Sequence, residues 1–182
     1  MNFGKNEINE IHIRFSGIGG GGIILSSIIL GKSAIYDNKS AIQTQSYGAE
    51  QRGTKVKADV VISKKEAINY PAGDKVDILV AFSQEAFNFY LPSVKNDGLI
   101  LINSDLIQFD DKSVNLYKIP ANTLAMELNN ERVSNMILLG ALIKITNIIS
   151  KESFIKAISD TVPEKFTEIN IQAFQKGYDY IK

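Results

Sequence analysis

The chain has 182 residues, 45% of them hydrophobic and 22% charged, so we expect one ordinary globular domain spanning residues 1–182. The 20 Lys and Arg residues balance the 20 Asp and Glu residues, which excludes a nucleic acid or an anionic membrane held by bulk charge. The absence of cysteine excludes disulfides, zinc–thiolate sites, Cys-ligated iron–sulfur clusters and a cysteine nucleophile within this chain.

Neither a targeting segment nor a membrane span is predicted. Charged residues Lys5, Glu7 and Glu10 precede any apolar run, which is not the layout of a signal peptide. The most apolar stretch, residues 136–149, is interrupted by Lys144 and by neighbouring polar residues. These features predict a cytoplasmic protein without a membrane partner.

The first half of the chain opens with a strand, a glycine turn and a helix. Apolar and polar residues alternate over residues 12–16, and a mostly apolar helix is predicted over residues 23–36. Residues 41–44 and 56–62 are predicted strands, and the polar segment 45–54 between them is predicted to be an exposed loop.

The second half continues the alternation of strands and helices. The predicted elements are a strand at 77–82, a helix capped by Ser83, strands at 98–102 and 114–119, a helix capped by Asn122, a long apolar helix at 133–145, and amphipathic helices at 150–159 and 169–180. This order predicts an α/β protein with a three-layer Rossmann-like fold and a mostly parallel sheet. The apolar helix 133–145 must be buried either in the core or in a subunit interface.

A glycine-rich run lies between the first strand and the first helix. Its spacing fits G-x-G-x-x-G, in which backbone N–H groups at a helix N-terminus receive phosphate oxygens, and tight packing of helix on sheet is an equal alternative. Its candidate cofactor-binding residues are Gly17, Gly19, Gly20, Gly21 and Gly22. An NAD site also needs an acidic residue at the end of the second strand, where this chain has Ser40, Gln43 and Gln45, so NAD binding is disfavoured.

The polar segment after the second strand is the second candidate site. It carries amide, hydroxyl, phenol, carboxylate and guanidinium groups, in residues Thr44, Gln45, Ser46, Tyr47, Gly48, Glu50 and Arg52. Arg52 is suited to phosphate or carboxylate, and Tyr47 offers a flat anchor for a partner. The alternative is a surface turn in which Glu50 and Arg52 pair with each other.

The other polar residues of interest are predicted to be structural. His12 has no second imidazole or thiol with which to bind a metal, and Asp59 and Asp77 lie near the beginnings of strands, so no metal ligand or catalytic residue is assigned. Asn135 is an amide in the buried helix, which caps a neighbouring loop internally or meets another subunit, internal capping being the default.

Several of these segments together resemble the gamma subunit of 2-oxoacid:ferredoxin oxidoreductases. The resemblance spans nearly the whole chain and rests on residues 16–22, 44–53, 81–86, 135–142, 162–166 and 170–178. Two positions depart from the family pattern, which has Gln where this chain has Gly21 and Pro where it has Ala49. Residues 81–86 and 117–121 are similar to the 2-oxoglutarate branch, with pyruvate and branched-chain oxoacids left open.

The resemblance implies a subunit of a complex that oxidatively decarboxylates a 2-oxoacid with coenzyme A, giving an acyl-CoA and reduced ferredoxin. Thiamine diphosphate, Mg and iron–sulfur clusters would belong to alpha, beta and delta subunits, ferredoxin would be reached through the complex, and coenzyme A is the one cofactor left open for this chain. The glycine run and Arg52 are assigned to coenzyme A, and the segment 44–52 with Asn135 to the subunit interface. A purely structural subunit and a free-standing nucleotide-binding protein are the alternatives.

Overall fold

The fold is a six-stranded sheet with helices on both faces. The computed structural model describes residues 10–47, 55–64, 68 and 74–182. The strands are β1 (Glu10–Ile18), β2 (Ser40–Tyr47), β3 (Lys55–Ser63), β4 (Val76–Ala81), β5 (Val94–Asn103) and β6 (Asn115–Ile119). The α-helices are α1 (Ile23–Tyr36), α2 (Gln84–Tyr90), α3 (Ala121–Met126), α4 (Ser134–Thr146), α5 (Lys151–Ser159) and α6 (Glu164–Tyr180).

The strand order across the sheet is β2-β3-β1-β4-β5-β6. β1, β4, β5 and β6 pair in parallel, whereas β3 is antiparallel to both β1 and β2. Five strands therefore run in one direction and β3 alone runs in the other. The predicted α/β fold with a mostly parallel sheet is confirmed, and the reversed β3 is a feature that the alternation of elements did not predict.

The larger core lies on the face of the sheet that α1, α3, α4, α5 and α6 cover. Alternate residues of the central strands, such as Ile78 and Val80, point into it, as expected from the two-residue period of a strand. The middle of α4 is fully buried within this chain, against α6. The apolar helix predicted at 133–145 is thus a core helix, and its burial requires no second subunit.

The contact between α4 and α6 is a backbone contact. A β-carbon at Gly140 would lie 2.0 Å from the carbonyl oxygen of Phe174, and one at Gly177 would lie 1.9 Å from the carbonyl oxygen of Ile137. No side chain fits at either position. These two glycines therefore set the distance between the two helices.

The opposite face carries a smaller core beneath α2 and the segment that follows β5. Leu79, Ala81, Ile100 and Ile102 point to this side and pack with Phe87 of α2 and Ile107. The ring of Phe87 meets that of Phe109 edge-on, with 4.9 Å between the ring centres. The helices are thus divided unequally between the two faces.

Most predicted elements are confirmed, and the errors lie at their ends. Helix α1 has the predicted bounds, and the hydroxyl of Ser83 caps α2 by accepting a hydrogen bond from the N–H of Ala86. The prediction of a loop from residue 45 is wrong for the first three residues, because β2 continues to Tyr47. Helix α6 begins at Glu164, directly after Pro163, and Asn122 lies inside α3 and does not cap it.

Candidate functional site

The glycine run forms a tight turn from β1 into α1. Gly20 and Gly22 have positive φ angles of 98° and 75°, which glycine adopts without steric cost. The N–H of Gly21 donates to the carbonyl oxygen of Ile18 and closes the turn. Gly22 is the residue that precedes α1, and it has no side chain with which to cap the helix.

A β-carbon would meet a neighbouring side chain within 3.0 Å at Gly17, Gly21 and Gly22, so the packing alternative applies to three glycines of this run. A β-carbon at Gly17 would lie 2.7 Å from Cδ1 of Ile23 and 3.0 Å from Cβ of Phe82, so this position holds α1 and the end of β4 against β1. At Gly19 a β-carbon would make only an ordinary contact, 3.8 Å from Val56. Close packing therefore constrains Gly17, Gly21 and Gly22, whereas Gly19 and Gly20 have room for a β-carbon.

The turn lies at the end of β1, one of two adjacent parallel strands whose following helices pack on opposite faces of the sheet. Helix α1 follows β1 and packs on the larger core, whereas α2 follows the adjacent parallel strand β4 and packs on the smaller core. β1 leads on to β2 and β3 on one side, and β4 leads on to β5 and β6 on the other. In open α/β sheets the crevice at the carboxyl ends of two such strands is where ligands bind.

Helix α4 supplies a side chain to this crevice. Asn135, in the first turn of α4, is 3% exposed, and its Nδ2 lies 2.6 Å from the place that a β-carbon of Gly22 would occupy. Within the described residues no hydrogen bond is formed by the side chain of Asn135. The side chain of Asn135 thus lies against the glycine turn, and its role as an internal cap or as a subunit contact stays a prediction.

Exposed apolar side chains border the crevice. Ile18, at the end of β1, is 40% exposed, and Phe89 of α2 is 60% exposed. Lys55 begins β3 opposite Ile18, and its Nζ lies 4.3 Å from the centre of the Phe89 ring and 3.5 Å from Oε1 of Glu85. The sequence did not single out this border, because Ile18 and Phe89 have ordinary neighbours along the chain.

The second candidate site begins on β2. Thr44, Gln45 and Ser46 are exposed residues of this strand, and Tyr47 ends it opposite Val56, which in turn pairs with Gly17. The end of β2 and the glycine turn therefore lie at the same edge of the sheet. Gly48, Glu50 and Arg52 lie outside the described residues.

His12 and Arg14 of the first strand contact carboxylates in the sheet, whereas the buried hydroxyl of Ser16 has no hydrogen-bond partner within the described residues. Arg14 makes two hydrogen bonds to Asp59, both 2.8 Å long, and Nε2 of His12 lies 3.5 Å from Oδ2 of Asp59. Asp77 accepts a 2.9 Å hydrogen bond from the N–H of His12 and pairs with Lys95. These contacts agree with the structural roles predicted for His12, Asp59 and Asp77, although Asp59 lies in the middle of β3 and not near its beginning.

The Arg14–Asp59 pair is buried, and both partners remain charged. Burial favours a raised pKa for Asp59, but the hydrogen bonds and charge of Arg14, with a further contribution from His12, lower it to about 2. The buried ion pair of Arg14 was not predicted from the sequence. Its signal was the matching set of polar residues at alternate positions of two strands, namely His12 and Arg14 with Lys57 and Asp59.

The carboxylate of Asp37, which precedes β2 in the chain, is engaged by residues of α5 and of the turn before β2. Asp37 follows α1, and its carboxylate accepts a 2.5 Å hydrogen bond from the hydroxyl of Ser150 and pairs with Nζ of Lys39 at 2.5 Å. Asp37 thus joins the end of α1 to the beginning of α5.

Within the described ranges, no helix has both the length and the apolar character needed to cross a membrane. The same part of the chain contains no cluster of three or more His, Cys, Asp or Glu residues suited to a metal ion.

Residues 12–180 match the family model described as pyruvate ferredoxin/flavodoxin oxidoreductase. The chain belongs to this family. It is 49% identical over 175 residues to the 2-oxoglutarate synthase subunit KorC of Methanocaldococcus jannaschii, and the match covers 93% of each chain. Subunits of pyruvate synthase and of ketoisovalerate oxidoreductase from Methanothermobacter thermautotrophicus also match, at 30% and 28% identity.

Two solved structures share the fold. The gamma subunit of a keto/oxoacid ferredoxin oxidoreductase from Geobacter sulfurreducens has a TM-score of 0.81 and 38% identity, covering 93% of this chain and 96% of its own. A 2-oxoglutarate:ferredoxin oxidoreductase from Magnetococcus marinus, with 2-oxoglutarate, coenzyme A and succinyl-CoA bound, has a TM-score of 0.85 and 26% identity. This chain is covered to 97% and spans 32% of that longer one. The resemblance to gamma subunits predicted from sequence is confirmed.

Proposed function

We propose that this chain is the gamma subunit of a 2-oxoglutarate:ferredoxin oxidoreductase, with residues 1–182 acting as one domain in the cytoplasm. The complex would cleave the bond between the carboxylate carbon and the carbonyl carbon of 2-oxoglutarate, releasing carbon dioxide. The remaining acyl group would join the sulfur of coenzyme A, and the electron pair would pass to ferredoxin. What supports this choice of oxoacid is the 49% identity, over nearly the full length, to a 2-oxoglutarate synthase subunit.

The described residues favour an accessory role for this chain in the reaction and not a catalytic one. The chain has no cysteine with which to hold an iron–sulfur cluster. By its resemblance to gamma subunits, thiamine diphosphate, Mg and the clusters are assigned to alpha, beta and delta subunits. The crevice at the glycine turn is assigned to the coenzyme A side of the reaction. Exposed apolar side chains beside it, above all Ile18 and Phe89, are of the kind that partner subunits cover.

The hairpin of β2 and β3 is assigned to contact with the subunit that holds the thiamine pocket. Its connection begins after Tyr47, at the same edge as the glycine turn, and contains Arg52. In this proposal Arg52 pairs with a coenzyme A phosphate, while the connection helps to exclude water from the carbanion formed by decarboxylation.

The first experiment is an anaerobic purification of the tagged full chain from its native host. We expect it to bring down thiamine-containing and cysteine-rich subunits that reduce ferredoxin when 2-oxoglutarate and coenzyme A are both supplied. The kcat/KM should be higher for 2-oxoglutarate than for pyruvate or ketoisovalerate. A preference for either of those oxoacids would contradict the proposed branch, and a chain that purifies alone would contradict the complex.

Arg52→Ala tests the role of the β2–β3 connection in the purified complex. We expect the KM for coenzyme A to rise about tenfold, the loss typical of a charged contact. Arg52→Lys is the matched control, because it keeps the charge and loses the two-pronged geometry, so its KM should lie between those of the other two proteins. An unchanged KM with an unchanged subunit composition for Arg52→Ala would remove Arg52 from this role.

A further inference from the structure

The two edges of the sheet differ in how well they are protected against the addition of another strand. β2 forms one edge and β6 forms the other. β6 has five residues, contains Lys118 and is followed by Pro120, and short length, charge and proline all discourage further pairing. β2 has eight residues, none of them charged and none of them proline. β2 therefore carries none of these protections.

The backbone of β2 is regular along its whole length. It pairs with β3 from Ser40 to Tyr47 without a shift in register, and among the described residues no strand lies beyond it. In such an edge strand every second residue directs its N–H and C=O groups away from the sheet. Over residues 41–46 β2 therefore offers a row of backbone donors and acceptors to a second strand.

An apolar stripe on α1 lies above this edge. Ile24, Ile28 and Ile35 are separated by four and seven residues, which places them on one side of the helix. Gly31 lies on the same side and faces β2, since a β-carbon there would lie 3.9 Å from Cβ of Gln43. Ile35 is 56% exposed, and Ile24 and Ile28 are partly exposed. An open strand edge and an exposed apolar helix surface thus adjoin each other.

A second copy of this chain matches both features at once. A two-fold axis perpendicular to the sheet makes β2 antiparallel to its copy and keeps the two α1 helices on the same face. The two isoleucine stripes then meet, and the two uncharged strands approach without repulsion between like charges. The chain as a whole has no net charge that would keep two copies apart.

We infer that β2 and α1 form a self-association surface, through which two copies of this chain join their sheets into one continuous sheet. Backbone hydrogen bonds between the two β2 strands hold the pair together, and burial of the isoleucine stripes adds apolar contact. The inference does not rest on the proposed function. It concerns the outer side of β2, whereas the contact proposed for the thiamine-binding subunit involves the connection after Tyr47.

The first test measures the self-association of the full chain by sedimentation over a range of concentrations. We expect an equilibrium between monomer and dimer. Ile35→Lys brings two ammonium groups together where the α1 helices meet and should weaken the dimer at least about tenfold. Phe166→Lys is the matched control, because it makes the same kind of change at an exposed residue of α6 and should leave the dimer unchanged.

The second test locates the contact by disulfide trapping, for which a chain without cysteine is well suited. Under the two-fold axis, residues that lie opposite each other point to the same face, so one residue of β2 lies opposite its own copy. The two registers with the longest overlap place Gln43 or Thr44 there. Gln43→Cys or Thr44→Cys should therefore form a covalent dimer under mild oxidation. Ser113→Cys, at an exposed position beside β6, should remain monomeric.

A full chain that stays monomeric at every concentration would overturn the inference, as would a dimer that Ile35→Lys does not weaken and neither cysteine variant traps. Protection of the β2 amides from hydrogen exchange only when other subunits are bound would also overturn it, because the added strand would then come from one of those subunits. A dimer joined at β2 in a chain that purifies without oxidoreductase subunits would support the inference and contradict the proposed function.

Discussion

Glycine is used in opposite ways at two places in this molecule. At the contact between α4 and α6, Gly140 and Gly177 let two helix backbones touch, and a β-carbon at either residue would overlap a carbonyl oxygen at 2.0 or 1.9 Å. At the turn between β1 and α1, Gly20 and Gly22 provide positive φ angles of 98° and 75°, and a β-carbon on Gly20 would meet no atom within 4 Å. One pair of glycines brings two helices together, and the other shapes a turn at an edge of the sheet.

The same contrast holds for buried polar groups. Arg14 and Asp59 satisfy each other through two hydrogen bonds, whereas the buried hydroxyl of Ser16 has no hydrogen-bond partner, and the side chain of Asn135 forms no hydrogen bond, within the part of the chain that the structure describes. A group that is buried and paired contributes to folding, and one that is buried and unpaired costs stability unless a ligand completes it. Substitutions at the α4–α6 contact and at the Arg14–Asp59 pair should therefore lower the free energy of unfolding. Substitutions at the turn between β1 and α1 should instead weaken ligand binding.

Gly140→Ala and Gly177→Ala should have the largest effects. Each adds a β-carbon that meets backbone and not the end of a flexible side chain, so α4 and α6 must separate. We expect a loss of at least about 4 kcal/mol in the free energy of unfolding, measured by urea denaturation. A loss below about 1 kcal/mol for either variant would mean that the helices do not lie this close in solution.

Asp59→Asn should be the next most damaging change. It keeps the shape of the side chain but leaves the guanidinium of Arg14 buried without its counter-charge, which costs about 3 kcal/mol. Asn135→Ala is the matched comparison, because it removes a polar group that has no hydrogen bond to lose in the described structure. Its cost should stay near 1 kcal/mol. Equal losses in the two variants would contradict the distinction between paired and unpaired groups.

The paired carboxylate also predicts a dependence of stability on pH. The pKa of Asp59 is lowered from 3.8 to about 2 in the folded chain, so its ionised form stabilises the fold fully above pH 3.8 and this contribution is lost as the pH falls through 2. The contribution is about 2 kcal/mol. In urea titrations at several pH values, the difference in stability between the unchanged chain and Asp59→Asn should shrink over this range. A constant difference would show that Asp59 is not the group that titrates.

Elements of the core, such as α1 and β4, could be predicted from sequence because the residues that define them are neighbours along the chain. The apolar residues of α1 begin directly after the glycines, and the strand at β4 is a continuous apolar run that ends at a serine able to cap α2. In both, the residues that set the boundary are neighbours along the chain. β4 is buried on both faces, which accounts for its continuous apolar run.

The end of β2 could not be predicted because its pattern is not that of a buried strand. β2 is one of the two edge strands, and exposed Thr44, Gln45 and Ser46 resemble the residues of a loop. What makes them a strand is pairing with β3, whose antiparallel register depends on the connection between them. Likewise, the sequence indicated that Asn135 is buried, but its position beside Gly22 is set by the packing of α4 and not by any local pattern.

Gly22→Ala tests the role of the turn between β1 and α1. Alanine at a φ of 75° is strained by about 1–2 kcal/mol, and its β-carbon would push the amide of Asn135 aside. We expect this modest loss of stability together with a rise in the KM for coenzyme A in the purified complex. Gly31→Ala is the control, since it lies inside α1 away from the turn, its β-carbon makes only an ordinary 3.9 Å contact, and the KM should not change. A rise in KM for both variants would mean that the effect does not come from the turn.

Gly31→Ala has the smallest expected effect and the opposite sign. Gly31 lies inside α1, and a β-carbon there would lie 3.9 Å from Cβ of Gln43, an ordinary contact. Alanine is a better helix former than glycine, so thermal or urea denaturation should show a gain of about 0.5–1 kcal/mol. Gly31, Gly140 and Gly177 all lie in buried helices, and only the last two touch backbone. A loss at Gly31 would therefore mean that burial of a glycine, and not its contact with backbone, decides the cost of a β-carbon in this fold.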